Sequence, residues 1–365
     1  MAVLTEEQSM LRDAARAWVQ AKSPVTAFRK LRDSGAELGY DAAVWKEMAD
    51  MGWAGVIIPE EYGGSSIGYL SLGLVLEELG RTLTASPLIA TGLAGASALI
   101  LGGSEEQKQT WLPKVATGSA VMTLAVDEGP HHAPEKVEAS VVDGKLLGNK
   151  TFVLEGMAAE AFVVSARVDG AVELYLVKAD AAGVSRRKLS LVDSRGAANV
   201  RFESVAVSAT DKLSGGVALL EKVLDRARAG ISAEMLGAAM QAFEVTLDYL
   251  KTRVQFGQVI GSFQALQHRA VKMFIELELS RSAVEAALTA IDDNAPDTAE
   301  LVSLAKAKLG DTFHLVSNEM VQMHGGIGMT DAHDTGFYLK RARAAEAIFG
   351  NQAFHRDRYA RIQGY

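Results

Sequence analysis

Residues 253–268 read RVQFGQVIGSFQALQH, and their side-chain types suit the grip of a dinucleotide. Arg253 offers a fork of N–H donors matched to phosphate oxygens. Phe256 can stack on a flat ring, and the amide of Gln264 can hydrogen-bond that ring's edge. A second candidate is Gln322-Met323-His324-Gly325-Gly326-Ile327-Gly328, whose glycines let backbone approach a phosphate or an adenine closely. Each stretch alone has a plain structural reading. The first is a solvated arginine and a packed phenylalanine at an interhelical corner; the second is a helix C-cap and turn. Their joint presence gives the pattern its weight. His131-His132 is a possible metal-ligand pair, but no matched cluster of His, Asp or Glu accompanies it, so no metal is expected.

The elements that must position these groups follow from periodicity. Ile231, Met235, Ala238, Ala242, Val245 and Tyr249 recur at three- and four-residue steps, one face of a long helix running into the first stretch. Gly257 and Gly261 interrupt the pattern, and it resumes over residues 263–291. The candidate corner therefore lies in a short turn between two long helices. Residues 292–299, with Asn294 and Pro296, read as a surface turn to the next helix.

Three regions emerge along the chain. Residues 1–120 read as helices, opening on Thr5 with Gln8 behind it, the pattern of a capping box. Further helices are expected at 42–51, 70–81, 89–101 and 104–116. The Pro59-Glu60-Glu61-Tyr62-Gly63-Gly64 loop between them is assigned a structural role, as a proline stop, solvated carboxylates and a glycine turn. Residues 121–212 change to strand patterns at 121–126, 137–142, 150–154, 161–168, 172–178, 184–191 and 198–207. Asp143-Gly144 and Asp169-Gly170 divide them as hairpin turns, giving an antiparallel β domain. Residues 213–365 return to long helices. The expected class is α+β, mostly α.

Bulk properties exclude several functions. The net charge of -8 provides no general attraction to nucleic acid or to an anionic membrane. With no cysteine, disulfides and thiolate chemistry are absent, which fits a cytoplasmic setting. No apolar run is long enough to span a bilayer, and the acidic start lacks the pattern of a signal peptide.

The 253–268 stretch resembles the R-x-x-F-G-x-x-I-x-x-F-Q-x-x-Q-H turn of the acyl-CoA dehydrogenase family, and the similarity runs over essentially the whole chain. The resemblance implies an N-terminal helical domain, a middle antiparallel β domain and a C-terminal four-helix bundle. It also implies FAD as cofactor and an acyl-CoA thioester as substrate. Residues 322–328 resemble the family's Q-x-x-G-G-x-G motif. By that likeness Arg253, Phe256, Gln264, Gln322, Gly325 and Gly326 would hold the ADP half of an FAD belonging to a neighbouring subunit.

The same likeness exposes what is missing. Desaturation needs a carboxylate to remove the α-proton while the flavin accepts a hydride from the β-carbon. The family supplies that glutamate from one of two places, and here Gly350 and Ala227 occupy them. Neither residue can take a proton. Glu221 and Glu234 do not project from the Ala227 position, because a helix turns about 100° per residue. Glu346 reads as part of a solvated helix face. In the flavin-facing loop Asp127 stands where the family has threonine, and Phe152-Val153-Leu154 replaces a Trp-Ile-Thr strand, so Leu154 brings no hydroxyl.

The losses fall on positions that would serve a flavin in the chain's own pocket. The positions that would reach a neighbour's dinucleotide remain. The ending Phe349-Gly350-Asn351-Gln352-Ala353-Phe354-His355-Arg356 resembles the FGxxxFHR ending of a bacterial subgroup of α2β2 enzymes acting on steroid or bile-acid side chains. The expectation is a base-lacking subunit that completes the FAD site of a sister chain in a dimer of dimers, with an electron-transferring flavoprotein as acceptor. The alternatives are an active homomeric dehydrogenase with a relocated base, and a flavin-free scaffold.

Overall fold

The structure is a computed structural model that describes residues 4–365. Six helices come first: α1 (Glu6–Lys22), α2 (Val25–Ser34), α3 (Ala42–Asp50), α4 (Tyr69–Arg81), α5 (Ala96–Gly102) and α6 (Glu105–Ala116). Strands follow: β1 (Met122–Ala125), β2 (Ser140–Val142), β3 (Lys145–Leu154), β4 (Ala161–Val168), β5 (Ala171–Lys178), β6 (Val184–Lys188), β7 (Ala197–Ala206) and β8 (Lys212–Leu213). Then come α7 (Gly216–Thr252), the short strands β9 (Val254–Gln255) and β10 (Gln258–Val259), and α8 (Gln264–Asp292). The chain closes with α9 (Thr298–His324), α10 (Thr335–Ala347) and α11 (Gln352–Ile362). Helices, sheet, helices is the order that the periodicity dictates.

Local chemistry accounts for many of these boundaries. Thr5 caps α1 by accepting from the Gln8 N–H, and the Gln8 side chain accepts from the Thr5 N–H. Ser104 and Gln107 repeat the same reciprocal cap at α6. Asp143-Gly144 and Asp169-Gly170 have positive φ at both residues, the geometry that lets a two-residue turn follow the twist of its strands.

The chain divides into two compact units. One comprises Met1–Phe28, Gly73–Thr84 and Arg228–Tyr365. Within it α9 packs against α8, α10 and α11. The end of α4 crosses α7 through two glycines. A Cβ at Gly80 would lie 2.1 Å from the Glu234 carbonyl oxygen, and one at Gly237 would lie 1.8 Å from that of Glu77. Ion pairs flank this crossing: Arg16 with Glu78, Arg281 with Glu77, and Arg341 with Glu234 through two bonds of 2.8 and 2.9 Å. Burial pushes the Glu77 carboxyl upward, against the pull of Arg281.

The other unit comprises Arg29–Leu72 and Ala85–Ala227. Its sheet runs β6-β7-β3-β2-β4-β5-β8, with β1 beside β4. Pairing is antiparallel except for β1–β4 and β2–β4, which are parallel. Phe162, Phe202, Val153, Val164 and Tyr175 fill the core beneath it. The 59–64 loop has the structural role expected of it. A Cβ at Gly64 would lie 2.1 Å from the Ile58 carbonyl oxygen, and Tyr62 donates to Glu105.

Several features depart from the sequence reading. Residues 254–259 form a β-hairpin, where a simple interhelical turn was expected. α2 was also unforeseen: Phe28 is its one buried residue, so no apolar stripe announces it.

Candidate cofactor site

The hairpin pairs Gln255 with Gln258 and Val254 with Val259, leaving Phe256 and Gly257 as its two-residue turn. Both turn residues have positive φ, +55° and +78°. Such turns favour asparagine or glycine at the first position. A phenylalanine there carries backbone strain of about 1 kcal/mol. The residue is 90% exposed, and its ring makes a T-shaped pair with Phe263 at 6.0 Å between centroids. A strained, solvent-facing aromatic is a group held out for contact with something else.

The polar groups near it are also free. Arg253 ends the α7 segment with its backbone N–H bonded to the Tyr249 carbonyl, and its guanidinium is exposed and meets no acidic partner among the described residues. Gln264 opens α8, and Gln322 lies in the last turn of α9; both side chains are exposed.

Tyr249 ties these ends together. Its ring stacks on His324 with centroids 4.4 Å apart, and its hydroxyl donates to the His324 carbonyl at 3.4 Å. The end of α7 is thereby held against the end of α9, four residues before Arg253 and one residue before Gly325. His324 in turn lies 4.6 Å from the His333 ring and donates from Nδ1 to the Met320 carbonyl at 2.7 Å. That bond leaves Nε2 as a bare acceptor, buried and without a partner. Burial lowers the pKa of His324, so the ring is neutral. Gly325 has φ +63°, and a Cβ placed on Gly325 or Gly326 would meet nothing within 4 Å. The backbone here is bare and open, as close approach of a flat or phosphorylated ligand requires. These residues fit the ADP portion of FAD: a phosphate fork, a stacking ring, edge amides and an open glycine turn.

The stretches expected to face a flavin ring are differently furnished. In β3 the register against β7 slips by one residue between Lys150 and Val153, so Thr151-Phe152 form a bulge with Phe152 at φ +51°. The bulge turns the Phe152 side chain outward, 51% exposed, while Leu154 is half-buried. Asp127 is occupied within its own loop, accepting from the Ala133 N–H and bonding His132 Nδ1 at 2.9 Å. His132 is thus a partner of Asp127. Glu128 pins the loop to β3 through the buried Lys150, 2.6 Å away. Burial pulls the Lys150 pKa down against that carboxylate.

At 227 and 350, where the family resemblance would put a base, the residues are alanine and glycine. Ala227 is wholly buried in α7. Gly350 has φ +106°, and a Cβ there would lie 2.5 Å from Phe354 and 2.9 Å from His355 Nε2. The loop around Gly350 is closed by two basic side chains instead. Lys306 donates to the carbonyls of Ala345, Glu346 and Gly350, and Arg228 donates from Nε to that of Phe349. Burial, with Arg228 adding repulsion, lowers Lys306 to about 7, and the same causes lower His355 to about 2. The nearby glutamates are committed elsewhere: Glu234 to Arg341, Glu346 to His314 and Arg343. Neither the Tyr249–His324 stack nor this cage had a signal in sequence, since their members lie 75 residues apart in the stack and 39 to 121 apart in the cage.

Comparison with known proteins gives the family of the chain. Residues 5–119 match the profile of the acyl-CoA dehydrogenase N-terminal domain, and residues 214–363 match that of its C-terminal domain. Acyl-CoA dehydrogenase IpdE2 of Mycolicibacterium smegmatis is 30% identical over 95% of this chain and 96% of its own length. Among solved structures, the ChsE4-ChsE5 complex from Mycobacterium tuberculosis superposes with a TM-score of 0.93 at 26% identity, covering 100% of this chain and 99% of that one. A variant of the Tcur3481-Tcur3483 steroid ACAD superposes with a TM-score of 0.91 at 30% identity, covering 98% of each chain. The chain belongs to the acyl-CoA dehydrogenase family, whose members are FAD-dependent.

Proposed function

We propose that this chain is the base-lacking subunit of a heteromeric FAD-dependent acyl-CoA dehydrogenase that desaturates an acyl-CoA thioester. The observation that carries this reading is the pairing of a free, exposed dinucleotide grip with two base positions that hold no carboxylate. Bound FAD would supply the hydride acceptor. Arg253 would hold its diphosphate, Phe256 would stack on a ring of the cofactor, and Gln264, Gln322, Gly325 and Gly326 would line the adenine end. A sister chain would contribute the glutamate and the flavin-facing loops, and the reaction would take place in that chain's pocket.

Segments 1–120, 121–212 and 213–365 are taken as the three functional regions. The outward face of α8 supports an assembly: Val271, Phe274, Ile275 and Leu279 are exposed at helical spacing, opposite the buried face of Met273, Leu277 and Val284. A helix apolar on both sides is normally covered on both. An α2β2 dimer of dimers would provide that cover. Two structural neighbours, the ChsE4-ChsE5 complex and the Tcur3481-Tcur3483 steroid enzyme, support the two-chain arrangement and a steroid substrate. Electron-transferring flavoprotein is the expected acceptor and the cytoplasm the expected compartment. No helix among the described residues is long and apolar enough to cross a membrane.

The deciding experiment is purification with and without a co-expressed homologue. A colourless chain that acquires FAD, and acyl-CoA-dependent bleaching, only with a sister chain bears the reading out. A yellow, acyl-CoA-bleachable chain on its own overturns it.

A further inference from the structure

A cleft of about 420 Å³ opens on the outward face of β6, β7 and β3, remote in sequence from the candidate grip. Strand register builds its wall. Ser185 pairs with Arg201, and Arg201 with Asn149; one step along, Arg187 pairs with Asn199. Directly paired residues project to the same side of a sheet. The rows therefore carry two arginines, two amides and a hydroxyl on one face.

The state of each group points to an anion. Arg187 is exposed and meets no acidic side chain among the described residues. Arg201 touches one carboxylate, Glu203, which does not line the cleft. Asn199 accepts the Phe152 N–H through Oδ1 at 3.3 Å, so its amide N–H donors are left for the cleft. Arg186 is used otherwise, holding the carbonyls of Met157 and Ala159. Lys150 is neutralised by Glu128. No Asp or Glu lines the cleft, in a chain whose net charge is -8.

Edge protection does not account for the arrangement. β6 ends the sheet, and charges on an outermost strand block unwanted pairing. That would explain the arginines of β6. It does not place Arg201 and Asn199 on the second strand or Asn149 on the third, each in register with its neighbours.

The geometry points to a phosphate-binding cleft, built by Arg187 and Arg201 with Asn149, Asn199 and Ser185 as hydrogen-bond donors, that takes a nucleotide phosphate of the kind carried by coenzyme A and FAD. Forked guanidinium donors are shaped for phosphate oxygens. The cleft shares no residue with the dinucleotide grip, and the proposal does not depend on it.

Calorimetric titration of the full chain at low ionic strength tests it, with ADP, inorganic pyrophosphate, coenzyme A and dephospho-coenzyme A as probes. At least one probe should bind, and Arg187→Ala/Arg201→Ala should weaken it tenfold or more at unchanged melting temperature. Arg187→Lys/Arg201→Lys, keeping the charge but losing the fork, should give an intermediate loss. Arg253→Ala should leave this binding alone. Equal affinities for ADP and both coenzymes assign the cleft to a diphosphate; a preference for coenzyme A over its dephospho form assigns it to the 3′-phosphate. No binding by any probe, equal binding by the double alanine variant, or loss through Arg253→Ala alone would each overturn the proposal.

Discussion

The Nζ of Lys306 donates to the Gly350 carbonyl at 2.8 Å and, from the same buried position, to the carbonyls of Ala345 and Glu346. The last turn of α10 and the loop after it are thus closed over the buried Lys306 amine. By the family resemblance this segment is one place for a catalytic glutamate, and here it is organised by backbone carbonyls with Lys306 and Arg228. Three carbonyls converge on one buried amine, and no carboxylate lies among these bonds.

Restoring the glutamate should therefore fail. In Gly350→Glu the new Cβ meets Phe354 and His355, and the backbone sits at φ +106°. A loss of about 2 kcal/mol or more in unfolding free energy is expected. No acyl-CoA-dependent bleaching should appear in the chain alone. Denaturant unfolding and the flavin spectrum measure the two outcomes, and a stable, active variant would count against the closed loop.

Lys306 also gives stability a pH dependence of definite sign. Its folded pKa is about 7 against an ordinary value of 10.5, with Arg228, Arg341 and Glu346 the charges acting on it. Between those values the unfolded chain binds a proton that the folded chain lacks. Stability from this group therefore climbs as pH rises from about 7 towards 10.5, with a slope of at most about 1.4 kcal/mol per pH unit. Denaturant midpoints measured from pH 7 to 9 should show the rise in the wild type. The rise should be smaller in Lys306→Met.

The α4–α7 crossing should tolerate no side chain. Gly237→Ala drives a methyl against the Glu77 carbonyl, 1.8 Å away without relaxation. Backbone at both surfaces cannot rotate aside as a rotamer can. The expected loss is about 3 kcal/mol, the upper end of overpacking costs. A melting temperature within a degree of the wild type would refute the close crossing.

Phe256 separates function from stability. Phe256→Gly relieves the left-handed strain and removes a ring that touches little, so the folded chain should change by no more than about 0.5 kcal/mol. FAD retained by the co-expressed complex should nevertheless fall, as it should with Arg253→Ala. Flavin absorbance per complex after gel filtration reads this. Unchanged occupancy in both variants would remove the trans-acting grip.

What was legible in the sequence was local. The 161–168 strand matches β4 residue for residue, and the Thr5 cap and the two Asp-Gly turns lie where the residue types put them. Periodicity, capping and turn chemistry depend on neighbours a few positions away, so one chain of letters contains them. The lack of a carboxylate at 227 and 350 is likewise a matter of residue identity. The tertiary structure decided the rest. The hairpin at 254–259 is too short to leave an alternating pattern, and only its backbone angles reveal that Phe256 is held under strain. The stack of Tyr249 on His324, the cage of Arg228 and Lys306 and the Arg187–Asn199 row join residues from separate elements. Packing brings those residues together, and nothing in their local spacing records it.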